Sequence, residues 1–67
     1  MVNTAKLRGL IAERNMTQAQ IAKELGIAGD TFYRKMKTGK FDTDEAYRLI
    51  QILSIENPVE VFFMQSN

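Results

Sequence analysis

The chain has 67 residues, no cysteine, no histidine and a net charge of +1. That length makes one domain, 1–67, with a small core, and the composition excludes disulfide staples and the usual zinc sites. No apolar run approaches a membrane span, and Lys6 and Arg8 interrupt any early signal-like stretch, so a cytoplasmic protein with no metal, cofactor or membrane partner is expected.

Helical spacing starts near Thr4, the expected N-cap, and carries Leu7, Leu10 and Ile11 on one face before Asn15 and Met16 end the helix. Thr17 and Gln20 form a capping box for a second, two-turn helix whose buried face is Ile21, Ala22 and Leu25. Gly26 supplies the left-handed backbone that closes it, and Ile27 is expected to plug the turn. Phe32 and Met36, four apart, are the inward face of a third helix, with Gly39 as its C-cap. Asp42 and Glu45 make another capping box, with Phe41 placed as a hydrophobic staple. Ala46, Leu49, Ile50 and Leu53 follow at i, i+3, i+4 and i+7 of a fourth helix. After a break at 54–56, Asn57, Pro58 and Glu60 read as the start of a short fifth helix through Phe63. A strand competes there, because 59–63 is β-branched and aromatic. The expected fold is all-α, five short helices in one compact domain.

Charge is divided along the chain. Residues 1–40 hold eight cations against three carboxylates, a net +5, whereas 41–67 hold one cation against five carboxylates, a net −4. One face is therefore suited to an anionic partner, unless the two halves are simply solvated surfaces. Two short helices joined by a Gly turn, the second running into a basic loop, are a device for placing a helix in the DNA major groove.

The residues Thr17-Gln18, Ile21-Ala22, Leu25-Gly26-Ile27, Thr31-Phe32, Arg34-Lys35-Met36 and Gly39-Lys40 resemble the lambda-repressor-like helix-turn-helix family of phage repressors, Cro proteins and related regulators. The resemblance covers nearly the whole chain, including the ending Asn57-Pro58-Val59-Glu60-Val61-Phe62-Phe63, and places the helix-turn-helix at about 17–37. It implies DNA binding as a homodimer and a role in transcriptional control. The family's base-contact positions fall on Ala28, Gly29, Asp30, Tyr33, Arg34 and Lys37.

Successive helical residues turn by about 100°. With Phe32 and Met36 inward, the third helix therefore turns Asp30, Arg34 and Lys37 outward, flanked by Thr31 and Tyr33. Arg34 is the strongest candidate for reading a guanine edge, the alternative being a phosphate contact or a solvated side chain. Thr31 and Tyr33 suit a base methyl or a phosphate oxygen, or Tyr33 lies across the domain surface. Ala28-Gly29-Asp30 departs from the family's usual pattern of Gln, Arg or Ser at this point. Asp30 either accepts from cytosine N4 or serves the helix start as a cap and favourable charge.

Thr17 and Gln18, at the free N–H groups opening the second helix, suit a phosphate, as do Lys35 on the reading helix and Lys37, Thr38, Gly39 and Lys40 at its end, unless the three lysines simply make a solubilising stretch. The tail 57–67 is a possible dimer contact: Ile52, Ile55, Val61, Phe63 and Met64 are expected on a twofold patch, with Phe62 in the core, or else all of them cap the monomer.

These readings converge on a regulator of repressor or Cro type that binds a near-palindromic operator, without a small-molecule ligand. The alternative is a protein-interaction module, an antitoxin or anti-repressor, on the same fold. An enzyme is not expected: the acidic residues are accounted for by caps and exposed faces, and no phosphate-binding Gly loop or ligand cluster is present in the sequence.

Overall fold

Each helix begins and ends where short-range chemistry dictates. The computed structural model describes residues 2–63. Four α-helices, α1 (Thr4–Glu13), α2 (Gln18–Leu25), α3 (Gly29–Thr38) and α4 (Thr43–Leu53), are followed by a π-helical segment, Val59–Phe63. Among the described residues there is no strand, so the helical reading of 59–63 stands and the strand reading does not.

The first helix is capped by Asn3 rather than Thr4. The Asn3 Oδ1 accepts from the Lys6 N–H at 3.1 Å, and Thr4 becomes the first helical residue. Asn outranks Thr as an N-cap, which decides between two neighbours that both qualify. Asn15, at φ 55, takes the left-handed turn that ends α1.

Both expected capping boxes form. Thr17 Oγ1 accepts from the Gln20 N–H at 3.1 Å, and the Thr17 N–H donates to Gln20 Oε1 at 2.8 Å. Asp42 Oδ1 accepts from the Glu45 N–H at 2.8 Å, and the Asp42 N–H donates to Glu45 Oε1 at 3.0 Å. Gly26 (φ 75) and Gly39 (φ 74) close α2 and α3 in the left-handed region, where a Cβ is penalised. The Ile27 N–H then donates back to the Ala22 carbonyl at 3.0 Å, and the Ile27 side chain packs against the core.

The core collects the stripes read from the sequence. Leu7 and Ile11 of α1, Ile21, Ala22 and Leu25 of α2, Phe32 and Met36 of α3, and Ala46, Leu49 and Leu53 of α4 are buried together. Ile50, expected on the same stripe, is only partly buried beside it. Phe41 packs onto the core, its ring and that of Phe32 on α3 in an edge-to-face arrangement with centroids 5.8 Å apart.

The final segment differs from expectation in winding and in what it buries. It is π-helical from Val59, and the Glu60 carboxylate pairs with Lys6 Nζ at 3.0 Å instead of closing a capping box with Asn57. Within the segment the neighbours Val61 and Phe62 both turn inward. The Val61 carbonyl also accepts the Asn3 N–H at 2.7 Å, tying the segment to the start of α1.

Two residues expected on a dimer patch are thereby corrected. Val61 is 1% exposed and Ile55 is also core, so neither is available to a partner. Ile52 is partly buried against the core. Phe62 is buried as expected, Phe63 is exposed, and Met64 lies outside the described residues.

Candidate nucleic-acid interface

Helix α3 sits with one side in the core and the other in solvent. Ala28 provides its N-cap backbone without a side-chain bond, and Gly29 begins the helix. Ala28, Gly29, Asp30, Tyr33, Arg34 and Lys37 are all exposed, and Thr31 is half-buried. The outward row inferred from Phe32 and Met36 is therefore the row observed. Asp30 Oδ1 accepts the Thr31 N–H at 3.0 Å. Of the two roles read for Asp30, service to the helix start is the one with a hydrogen bond behind it, and the charge also suits the positive end of the helix dipole.

Three helices meet around a shallow cavity of about 170 Å³ lined by Arg8, Gln18, Tyr33, Met36 and Lys37. Gln18 is the first residue of α2, where the amides of Gln18 and Ala19 have no carbonyl one turn back. Arg8 arrives from α1, and Tyr33 and Lys37 from α3, one turn apart. The lining holds two cations, an amide and a phenol, and no carboxylate. Every polar group there can donate a hydrogen bond, a chemistry that favours an oxyanion.

Arg8 is the residue that sequence reasoning missed. Arg8 is exposed on α1, and helical spacing does not say which neighbour an exposed side chain faces. The placement depends on how α1 crosses α2 and α3. No short-range signal carries that information.

Two residues expected to reach outward are turned inward. Lys35 Nζ pairs with Glu45 Oε1 at 3.1 Å, with the two side chains 27% and 13% exposed. That same Glu45 oxygen accepts the Asp42 N–H, so Lys35 ties α3 to the cap of α4. The Gly39 amide donates to the Lys35 carbonyl at 2.8 Å, its carbonyl accepts the Val2 N–H at 3.1 Å, and the residue is buried. The backbone that terminates α3 consumes the donor expected to face a phosphate. Thr38 is exposed, and its hydroxyl donates to the Lys35 carbonyl at 3.4 Å. Thr17 is exposed with its hydroxyl and amide engaged in the capping box. Arg34, Lys37 and Lys40 are exposed and take part in neither ion pair found among the described residues.

Helix α4 braces this surface from behind. Arg48 Nη2 donates to the Glu24 carbonyl at 3.0 Å and Nη1 reaches the Leu25 carbonyl at 3.5 Å. A cation on the last carbonyls of a helix is favourable both as a hydrogen bond and toward the dipole. Through Arg48 and Glu45, one helix thus holds the end of α2 and the middle of α3.

The chain was compared with protein-family models, with curated proteins and with solved structures, and none matches. Among the described residues no helix is long and apolar enough to cross a membrane.

Proposed function

We propose that this chain is a sequence-specific double-stranded-DNA-binding regulator of transcription, with a lambda-repressor-like helix-turn-helix formed by α2 and α3, acting as a homodimer on a near-palindromic operator. One observation carries the reading. The exposed row of α3 stands beside a carboxylate-free cavity that draws Arg8, Gln18, Tyr33 and Lys37 from three helices onto one face. A helix in the major groove needs side chains aimed at base edges and donors on both flanks for phosphates. Arg34, with Tyr33 and Lys37, supplies the first. Arg8, Gln18 and Lys40 supply the second.

In this reading Ala28 and Gly29 let α3 approach the groove floor closely, and discrimination falls to residues further down the helix. Arg34 donates two bonds to one guanine. Tyr33 and Thr31 offer apolar and hydroxyl contact to thymine methyls or phosphate oxygens. No catalytic role is assigned to any of these groups.

Salt titrations of duplex binding test the surface. Removing Arg34, Lys37 and Lys40 together, as alanines, should flatten the dependence of log K on log salt by about 0.9 for each phosphate that is no longer neutralised. Binding that is unchanged by the triple substitution contradicts the surface. Lys35→Gln is the internal control. Lys35 is held by Glu45, so its replacement should leave the salt slope where it was. A slope that drops by about 0.9 with this single change makes Lys35 a phosphate contact after all.

A further inference from the structure

Helix α4 has a second side. Opposite its contact with α2 and α3, it edges an apolar groove of about 310 Å³ lined by Val2, Phe41, Tyr47, Ile50, Phe62 and Phe63, among others. Tyr47 is 62% exposed and Phe63 65% exposed. Phe63 is buttressed by Phe62, with ring centroids 6.2 Å apart. A small monomer rarely leaves two large rings of one apolar trough standing in water.

We infer that this groove is the homodimer contact, and that its occupant is the same groove of a second copy. The inference rests on the proposed function for the need for a partner, and on two quantities for its identity. The first is volume. A cavity of about 150 Å³ takes up one benzene ring, so this groove has room for about two. A second copy related by a twofold axis offers two, its own Tyr47 and Phe63, and the exchange is reciprocal because an isologous contact uses one patch twice. The second is area. An aromatic side chain buries about 150–250 Å², and about two-thirds of each ring remains to be covered. Four rings from two copies therefore supply about 400–650 Å², a third to a half of the ~1,200 Å² that a stable interface needs. Val2, Phe41 and Ile50, partly buried in the same trough, add part of the remainder.

The surface replaces the one expected from the sequence. Among the described residues of that patch, Phe63 lines this groove, Ile52 is partly buried and not part of its lining, and Val61 and Ile55 belong to the core. Aromatic rings packed at the centre of an interface are the residues that dominate its affinity, and an apolar contact of this kind persists in salt that releases DNA.

Sedimentation equilibrium of the whole chain, without DNA, from micromolar to millimolar concentration tests the inference. The wild type should follow a monomer–dimer equilibrium. Tyr47→Lys and Phe63→Lys should each weaken it by tenfold or more, with helical circular dichroism retained because both side chains are exposed. Val59→Lys is the control: Val59 is 52% exposed on the same segment but outside the groove, and its replacement should leave association as it was. A wild type that stays monomeric overturns the inference, as does a Val59→Lys effect equal to that of Tyr47→Lys, or unchanged dimers in both groove variants. The same proteins are then titrated with a non-specific duplex at low salt. A wild-type dimer that loses association in the groove variants yet binds no duplex upholds the dimer surface and removes the DNA reading. Duplex binding by a wild type that never dimerises does the reverse.

Discussion

Phe32→Ala is expected to leave the chain without a cooperative fold at physiological temperature. Phe32 is fully buried, lies on α3, and packs edge-to-face with Phe41. Truncating a buried phenylalanine costs about 3–5 kcal/mol through forfeited transfer energy and the cavity left behind. Below about 70–80 residues a single hydrophobic core rarely supplies more than about 3–5 kcal/mol of net stability. The substitution therefore consumes most or all of it. Disulfides are not available to offset the loss, since the sequence has no cysteine. Urea denaturation followed by far-ultraviolet circular dichroism checks this: the variant should show no native baseline, or a midpoint near zero denaturant. A wild-type midpoint would mean that Phe32 is not the keystone its burial makes it. The adjacent Tyr33→Ala, on the exposed side of the same helix, should stay within about 0.5 kcal/mol of wild type.

The second large effect is functional. Arg34→Ala should flatten discrimination at one base pair of each half-site, by about 1–3 kcal/mol against the preferred base, while non-specific affinity and helical content hold nearly constant. The reasoning is geometric. Arg34 is exposed in the outward row of α3 and outside both ion pairs seen among the described residues, so its planar fork is free to meet a base edge. Competition binding against the four variants at each operator position measures the effect. Uniform weakening over all variants, with a shallower salt slope, would instead place Arg34 on a phosphate.

What was legible in the sequence was what neighbours within four residues decide. The Thr17–Gln20 and Asp42–Glu45 boxes are i, i+3 exchanges between side chain and backbone. Gly26 and Gly39 mark left-handed turns, and Phe32 with Met36 fixes which side of α3 faces out. From these the four α-helices, and the outward row of α3, follow without any tertiary information. The Asn3 cap shows the limit even locally, because two acceptable cap residues stood side by side and only their relative strength chose between them.

The rest depended on how elements meet. Lys35 read by position as one of the cations that the reading helix offers a phosphate, and only the approach of α4 turned it to Glu45. Arg48 looked like an isolated cation in an acidic half. Its partners are the carbonyls of Glu24 and Leu25, more than twenty residues away in sequence. Arg8 counted in the sequence only as one of the cations of 1–40, not as a neighbour of Gln18 and Tyr33. In the tail, the excess of apolar residues was plain, but which of them turned inward depended on the winding. The π-helical segment buries Val61 with Phe62 and leaves Phe63 beside Tyr47. The apolar surface consequently lies on the far side of α4, not along Ile52 and Ile55.

Selection of bound sequences from a random duplex pool, at stated low and physiological salt, tests the central claim most directly. A DNA reader that dimerises should enrich a near-palindrome whose two half-sites are centred about 10–10.5 base pairs apart, or a multiple of that, because each copy of α3 must meet the major groove on one side of the duplex. A pool that emerges without any enriched sequence, from a protein shown to be folded, contradicts the account.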